Sequence, residues 1–547
     1  MAVTDSPYQA YDNSEAGAGL PEKRPETRSV RDRVIPPMRG SVLWGWLGPI
    51  LVTLFGAVLR FAGLSHPKAV VFDETYYMKD SFSLITWGVE RTTIKDADKA
   101  IIAGNTDIWQ TCAPDALDKC ASYVVHPPLG KWMIGAGEWL FGLDPFGWRF
   151  AAALIGSLSI LVLARVARRM TRSTLLGCFA GLLLALDGLH YVLSRTALLD
   201  IFLMFWVLAA FACLVVDRDQ ARERLVAWYE TSPVSQYGPS LGIRWWRVAA
   251  GVCLAFSMSV KWSGIFFAAA FAIMSLMWDF GARRAVGLRH PYVGAFNKDL
   301  PQAVVAFAVV PFVTYMATWT GWFVNATGYG RNWDQATSSG PIFFLFDSMR
   351  SWIKYQWQVF TFHSDLVSSH PYMSEPWQWP LLLRPVAFYY ESRQNTCGVK
   401  DCSEAVLGVG TPVIWFGAVA ALVALIAWYV SSRDWRAGAV LLAYAAGLVP
   451  WIYFAIADNR TMFLFYAVPM VPFMVLAITL CAGLLIGTSQ PTATGVMPVR
   501  RTVGAAAVGA FALLALINFW WLHPVLSGEL IPYTEWKARM LFEKRWI

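Results

Sequence analysis

The sequence has few charged residues for its length. Only 15% of its 547 residues are Asp, Glu, Lys or Arg, whereas a soluble globular protein typically has about 25%. This shortage, together with an apolar fraction of 56%, excludes a disordered chain and argues against an ordinary cytosolic enzyme. Cysteine is also scarce, with 8 residues, which excludes a small domain held together by disulfides. The composition predicts a helical membrane protein with many spans.

Eleven apolar segments are candidates for membrane spans, and most are near the roughly 20 residues that a bilayer core requires. They follow a polar tail, residues 1–42, which contains no apolar stretch and therefore no cleavable signal peptide. We expect this tail to be disordered and to end in a basic run of Arg28, Arg31, Arg33 and Arg39. The predicted segments are 43–62, 148–165, 173–189, 197–216, 248–260, 264–279, 303–322, 413–430, 437–456, 462–487 and 503–522.

The net charge of +8 is explained mainly by how the chain is oriented in the membrane. With the N-terminus inside, arginines collect in every inner loop, as the positive-inside rule requires. We therefore predict a multi-pass protein of the cytoplasmic membrane, with no nucleic-acid partner. One transmembrane catalytic domain is expected over 43–522. Two long outer loops, 63–147 and 323–412, should carry amphipathic helices and a site that faces outside, and an outer tail should cover 523–547.

Four of the cysteines lie in the two predicted outer loops. Cys112 and Cys120 belong to the first loop, and Cys397 and Cys402 to the second. Because both loops face an oxidising compartment, we predict one local disulfide in each. Pairing across the loops stays open, since spacing alone does not define connectivity.

The adjacent carboxylates Asp73 and Glu74 are the densest chemical signal. They lie in VFDETYY just after the first span, close to Tyr77. Partial burial among aromatic residues would raise a carboxylate pKa toward that of a working base. A solvated acid pair, or a cap on a following helix, is the alternative interpretation.

Four cations near the outer ends of spans could hold a phosphate. Lys131 follows His126 in HPPLGK, where the prolines can begin a helix. Arg149 opens the second span, Arg460 lies at the outer end of the tenth, just before its first residue, and Lys261 lies between two short spans that should turn at this point. Lysine and arginine both bind phosphate groups. The alternatives are a snorkelling lysine and a simple interfacial anchor.

Further polar residues, including Tyr77 and His126 of the motifs above, could contact a substrate or support the site. Arg195 and Asp200 lie within the membrane, where charge is costly, and a structural ion pair is as reasonable as a catalytic role. The second outer loop adds aromatic, cationic and imidazole groups suited to sugar or peptide docking: His363, His370, Tyr372, Trp377, Trp379 and Arg384. Their spacing is not typical of a metal site, so no metal is expected.

Together these motifs resemble the protein O-mannosyltransferase family. The matching stretches are FDE, HPPLGK, SRTALLD, SVKWSG, HPYMSEPWQWPLLLRP and FLFYAVPMVPF, spread over about 43–475. The resemblance implies an all-α polytopic GT-C glycosyltransferase fold and an essential role for Asp73 and Glu74. The second outer loop lacks an inserted β-trefoil domain, which resembles the bacterial, actinobacterial-type branch.

The resemblance also implies the reaction and its partners. Mannose would pass from polyprenyl-phosphate-mannose to Ser or Thr hydroxyls of exported polypeptides, with the bilayer and the protein export machinery as further partners. We expect one inverting displacement, with Asp73 as base, Glu74 orienting the acceptor or the loop, and no cofactor. The alternatives are a GT-C transferase that uses the same donor on a glycolipid or polysaccharide, and, more remotely, a transporter.

Overall fold

The computed structural model describes residues 31, 34–36, 38, 40–113, 117–231, 235–333, 341–487, 499–542 and 546. Within these ranges, nine helices are long and apolar enough to cross a membrane. They are Val42–Phe61, Pro145–Thr171, Asp200–Thr231, Gly264–Ala285, Leu300–Thr318, Pro412–Ser432, Trp435–Asp458, Leu464–Ile486 and Val499–Ser527. The protein is thus a multi-pass helical membrane protein, as its composition predicts.

Two shorter apolar helices complete the match with the predicted segments. Thr174–Ala185 and Trp245–Val260 are 12 and 16 residues long, below the length that a perpendicular crossing needs. Each of the eleven predicted segments overlaps one of these helices or one of the nine long ones. The segments are therefore helices as predicted, and nine of them reach the length of a span.

The predicted turn at Lys261 is confirmed. The helix Trp245–Val260 ends with Lys261 in an extended conformation, and Gly264–Ala285 begins three residues later. Gly264 lets the two helices approach closely, because a Cβ at this position would lie 2.5 Å from the Ser257 hydroxyl oxygen. The turn places Lys261 at the end that both helices share.

The two long outer loops contain short helices and a small sheet. The first loop has Glu74–Trp87, Ala97–Ile102, a 3-10 turn Leu117–Cys120, and Leu129–Phe141, and the second has Thr320–Val324, Pro341–Ser364 and a 3-10 turn Pro376–Leu381. The strands β1 (Val386–Gln394) and β2 (Asp401–Gly408) form an antiparallel hairpin, and β3 (Leu530–Pro532) pairs with β2. The sequence pattern predicts no strand here, so this sheet is an addition to the all-α expectation.

The described part of the C-terminal tail packs onto the second outer loop. Besides β3, it forms the helix Tyr533–Ala538. Trp546 is fully buried, and its indole N–H donates a hydrogen bond of 2.7 Å to the carbonyl oxygen of Leu382. Disulfides join Cys112 to Cys120 and Cys397 to Cys402, the local pairing that the sequence predicts for each loop.

Buried ion pairs lie at the end of the bundle that carries the predicted inner loops. Arg244, which directly precedes the helix Trp245–Val260, contacts Asp217 at 2.5 Å and Asp279 at 2.7 Å. Arg31 of the N-terminal tail pairs with Glu230 at 2.7 Å. The other arginines of the predicted basic run, and most of residues 1–42, lie outside the described residues. Arg244 and Lys261 flank the same helix, so this ionic cluster and the Lys261 turn lie at opposite ends of the bundle.

Candidate functional site

The Asp73 loop begins with a residue in an unusual backbone conformation. Phe72 has φ of 49°, a left-handed value that costs a residue with a side chain about 1–2 kcal/mol. Its ring stacks on Phe388 of β1 at 5.0 Å and packs edge-on against Phe465 at 5.7 Å. These aromatic contacts hold the backbone in this conformation, and Asp73 follows at the N-cap of the helix Glu74–Trp87.

Glu74 is fully buried, and every acceptor position of its carboxylate is used. Arg149 donates from Nε to Oε1 at 2.8 Å and from Nη2 to Oε2 at 2.9 Å. The backbone N–H groups of Val71 and Ala197 donate to the same carboxylate at 2.9 and 3.0 Å. A carboxylate with four such bonds is a structural anchor. Of the two expected roles for Glu74, this geometry matches orientation of the loop and leaves no oxygen for an acceptor.

Protein groups occupy the Arg149 guanidinium, in conflict with its expected role at the donor phosphate. A guanidinium has five N–H donors, and two of those of Arg149 bind Glu74. The others donate to carbonyl oxygens of Leu64 at 3.3 Å, Pro67 at 2.9 Å and Ala69 at 2.8 Å. With all five donors engaged, Arg149 fastens the segment that leads to Asp73.

Lys131, a second candidate for the donor phosphate, also contacts carboxylates of the protein. It is buried, forms an ion pair with Glu90 and lies 3.9 Å from Asp80. Burial raises the pKa of Asp80 to about 7, although Lys131 opposes this effect. Lys131 therefore compensates buried carboxylates, whereas His126 of the same HPPLGK motif faces the cavity described next.

A cavity of about 400 Å³ lies at the Lys261 end of the bundle, beside the Asp73 loop. Its polar lining is drawn from residues far apart in sequence: Asp73, Tyr77, His126, Lys261 and His370. Its aromatic wall consists of Phe72, Phe463, Phe465 and Tyr466. A pocket of this size, with few polar groups on an apolar wall, is typical of small-molecule sites.

The Asp73 carboxylate faces this cavity without a protein partner. Its side chain does not cap the following helix, and no group of the described residues donates a hydrogen bond to it. Burial raises the pKa of Asp73 from its ordinary 3.8 to about 6, Lys261 opposes the rise, and Asp200 adds to it. A carboxylate with a pKa near the working pH is suited to accept a proton.

Lys261 supplies the positive charge of the cavity. Its Nζ lies 2.8 Å from Oδ2 of Asp200 and 5.3 Å from the centre of the Tyr466 ring. Burial works against the charge, but Asp200, Tyr466 and Asp73 raise the pKa of Lys261 above its ordinary value. The lysine is therefore a stable cation directed into the site.

Arg195 and Asp200 do not pair with each other, so the structural ion pair, one of the two alternatives for these residues, is not formed. Asp200 binds Lys261, and Arg195 donates to the carbonyl oxygens of Arg60 at 2.8 Å, Ala62 at 2.6 Å and Gly63 at 2.8 Å. These carbonyls end the first span, where backbone oxygens have no partner within the helix. Arg195 thus caps the helix that leads to the Asp73 loop.

Arg460 lies behind His126 rather than in the cavity. Its Nη2 is 3.3 Å from Nδ1 of His363, whose Nε2 is 3.0 Å from the carbonyl oxygen of Val125. The His363 ring stacks on His126 at 5.3 Å. Burial and the nearby cations, Lys261 foremost, lower the pKa of His126 well below its ordinary value. This imidazole is therefore neutral, and Arg460 approaches the cavity only through the two histidines.

Of the remaining candidates in the second outer loop, one lines the cavity and the others contact only the loop itself or its surroundings. His370 lines the cavity. Tyr372 donates its backbone N–H to His370, and Arg384 donates to a carbonyl oxygen of the same loop at 2.6 Å. Trp379 is fully buried, and Trp377 is 51% exposed. The last four residues shape or cover the loop, and only His370 reaches the cavity.

Sequence reasoning missed the aromatic wall. Phe463, Phe465 and Tyr466 were part of a motif, FLFYAVPMVPF, but no role was predicted for them individually. The available signal was a run of aromatic residues at the outer start of a span, with Pro469 following soon after. Such a run is equally typical of an interfacial belt, so only the fold identifies these residues as part of the site.

Comparisons with known proteins agree with the motifs. The family model described as "Dolichyl-phosphate-mannose-protein mannosyltransferase" matches residues 117–323, and "C-terminal four TMM region of protein-O-mannosyltransferase" matches 348–546. The chain is 39% identical over 524 residues to the polyprenol-phosphate-mannose–protein mannosyltransferase of Mycolicibacterium smegmatis strain MKD8, covering 93% of this chain and 95% of that protein. The protein of the same name from Mycobacterium tuberculosis strain H37Rv is 38% identical, covering 91% of each.

A solved structure shares the fold. The Saccharomyces cerevisiae protein O-mannosyltransferase Pmt1–Pmt2 complex, bound to the sugar donor, aligns with a TM-score of 0.66 and 14% identity. The alignment covers 93% of this chain and 94% of that one. The GT-C fold implied by the motifs is thereby confirmed.

Proposed function

Because the chain belongs to the protein O-mannosyltransferase family, we propose that it transfers mannose from polyprenyl-phosphate-mannose to Ser and Thr hydroxyls of exported proteins. The observation that carries the proposal is a cavity that holds both Asp73, a carboxylate with no hydrogen-bond partner among the described residues, and a stable cation, Lys261. Transfer from a phosphate-linked sugar needs both of these groups, one to accept a proton and one to stabilise a departing phosphate.

In the proposed reaction, the acceptor hydroxyl attacks the anomeric carbon while Asp73 takes its proton. The bond between that carbon and the phosphate oxygen breaks, and the electron pair leaves with the polyprenyl phosphate. Lys261 stabilises the negative charge on the leaving phosphate. The leaving group departs without protonation, so one base and one cation suffice, and the anomeric configuration inverts.

We assign the phosphate to Lys261 first and to Arg460 second. Arg149 and Lys131 were equal candidates on sequence grounds, but both are bound to buried carboxylates away from the cavity. Arg460 contacts His363, which stacks on the cavity-lining His126. A small movement of these rings on donor binding would bring its guanidinium into reach.

We also propose that the cavity faces outward from the cytoplasmic membrane. The arginine-rich end of the bundle, represented by Arg244, lies opposite the Lys261 end, and arginine-rich ends favour the cytoplasm. This orientation would place the site where exported polypeptides emerge, which makes the export machinery a candidate partner. The proposed reaction needs no metal, so activity should be unchanged when a chelator is added.

The test is transfer by the purified protein in liposomes, with labelled polyprenyl-phosphate-mannose and a Ser/Thr peptide. We expect label in the peptide, none when Ala replaces its Ser and Thr residues, and a loss of at least about 10²-fold with Asp73→Asn. Asp96→Asn is the matched control, because Asp96 lies in the same outer loop, is exposed and has a left-handed φ of 61°, which Asn tolerates. Label that enters a glycolipid or polysaccharide in place of the peptide would refute the proposed acceptor.

A further inference from the structure

His370 presents a hydrogen-bond donor to the cavity, because its other ring nitrogen is occupied. Nδ1 accepts the backbone N–H of Tyr372 at 3.1 Å. A ring nitrogen that accepts a hydrogen bond carries no proton, so the proton of this imidazole resides on Nε2. Within the described ranges, no protein group accepts from Nε2.

The orientation of the His370 ring is set by the aromatic wall. The ring meets Phe463 edge-to-face, with centroids 5.1 Å apart. Phe463 in turn stacks parallel to Phe465 at 5.4 Å. Since Nδ1 is held by the loop and the ring by Phe463, Nε2 has little freedom to turn away from the cavity.

The same wall runs from His370 to the phosphate cation. Lys261 lies 5.8 Å from the centre of the Phe465 ring and 5.3 Å from that of Tyr466. A sugar whose phosphate is held by Lys261 can lay its apolar C–H face on Phe463, which is half-buried, whereas Phe465 behind it is only 2% exposed. The sugar hydroxyls far from the phosphate then approach His370.

We propose that His370 recognises the transferred hexose, with its Nε2–H donating a hydrogen bond to one hydroxyl of the sugar ring. This inference rests on the proposed function and adds a residue that selects the sugar. His370 lies on the second outer loop, whereas Asp73 lies on the first, so sugar selection and proton transfer would come from different loops.

The test pairs variants of His370 with donors that lack one hydroxyl. The probes are a short-chain polyprenyl phosphate carrying mannose and its 2-, 3-, 4- and 6-deoxy analogues. His370→Asn keeps an acceptor near the Nδ1 position for the Tyr372 N–H and removes the Nε2 donor. His370→Gln places an amide N–H near the Nε2 position and gives up the loop contact. The readout is kcat/KM for each donor, with peptide held saturating.

We expect one deoxy donor to lose about 5- to 100-fold against mannose in the wild type, as for a hydrogen bond whose partner is left unsatisfied. In His370→Asn this difference should fall to within about twofold, and His370→Gln should restore part of it. Intrinsic reactivity differences among the donors cancel in the comparison.

Two results would overturn the inference. One is an Asn variant that slows all five donors by the same factor, which would make His370 a structural residue. The other is a variant effect confined to the KM of the peptide, which would assign His370 to the acceptor. Either result requires mannose transfer by the wild type, and an inactive wild type would instead count against the proposed function.

Discussion

Replacing Asp73 with Asn should abolish catalysis and stabilise the folded protein under the same conditions. The carboxylate faces the cavity without a hydrogen-bond partner among the described residues, and burial raises its pKa to about 6. A buried charge without a partner reduces stability. Asn has nearly the same shape and no charge, so it removes both the base and the cost of burying it.

The magnitude follows from the difference between the folded and the unfolded pKa. With 3.8 in the unfolded chain and about 6 in the folded protein, the folded state binds the proton more tightly. The ionised carboxylate therefore costs nothing below pH 3.8 and reaches its full cost, about 3 kcal/mol, above pH 6. At pH 5 about half of that cost remains. The free energy of unfolding of the wild type therefore decreases as the pH rises from about 3.8 to 6, because Asp73 ionises.

The assay compares the free energy of unfolding of wild type and Asp73→Asn in detergent micelles at pH 7.5 and pH 5. We expect the Asn variant to gain more, relative to wild type, at pH 7.5 than at pH 5, by about 1–2 kcal/mol. Its transfer rate should fall by about 10²–10⁴-fold. A stability difference that does not change with pH, or a rate within a few-fold of wild type, would refute the assignment of Asp73 as a buried base.

Three further predictions concern the charges around Asp73. Glu74→Gln should reduce the free energy of unfolding by about 3–5 kcal/mol, since it leaves the buried charge of Arg149 uncompensated. The check is a double-mutant cycle with Arg149→Met, measured by denaturant unfolding. Strictly additive losses in this cycle would contradict the pairing of Glu74 with Arg149. Lys261→Gln should move the acid limb of the kcat/KM profile, expected near pH 6 in the wild type, to higher pH, because Lys261 lowers the pKa of Asp73. An acid limb that does not move would show that Lys261 has no effect on the pKa of Asp73. Lys131→Gln should lower the melting temperature and leave the KM for the donor within about twofold of the wild-type value. A large rise in that KM would instead indicate that Lys131 binds the donor phosphate.

Local patterns were sufficient to predict the helices. Each predicted span overlaps an apolar helix, and the break at Lys261 was predicted because 248–279 is too long for one crossing. Burial of an apolar stretch in lipid depends on that stretch alone, so its signal is present in the sequence. The hairpin of β1 and β2 was missed, since its exposed half, residues 390–394, is polar and aromatic in no regular alternation.

The candidate site was predicted in part, and the errors share one cause. Asp73, Tyr77, His126, Lys261 and His370 were singled out, and all five line the cavity. Arg149 was chosen on the same grounds, but it is bound to Glu74, 75 residues earlier in the chain. A cation near the outer end of a span has the same local sequence signal whether it faces a cavity or a buried carboxylate.

The sequence by itself therefore determined the class of protein, its spans and the presence of a reactive acid after the first span, because hydrophobicity and charge act through each residue's own transfer between water and lipid. The tertiary structure decided which charges remain available for chemistry. Glu74 and Asp73 are adjacent, yet Arg149 and two backbone N–H groups saturate one carboxylate, while the other has no such partner in the described structure. Partners of this kind come from distant segments, and only the folded chain brings them together.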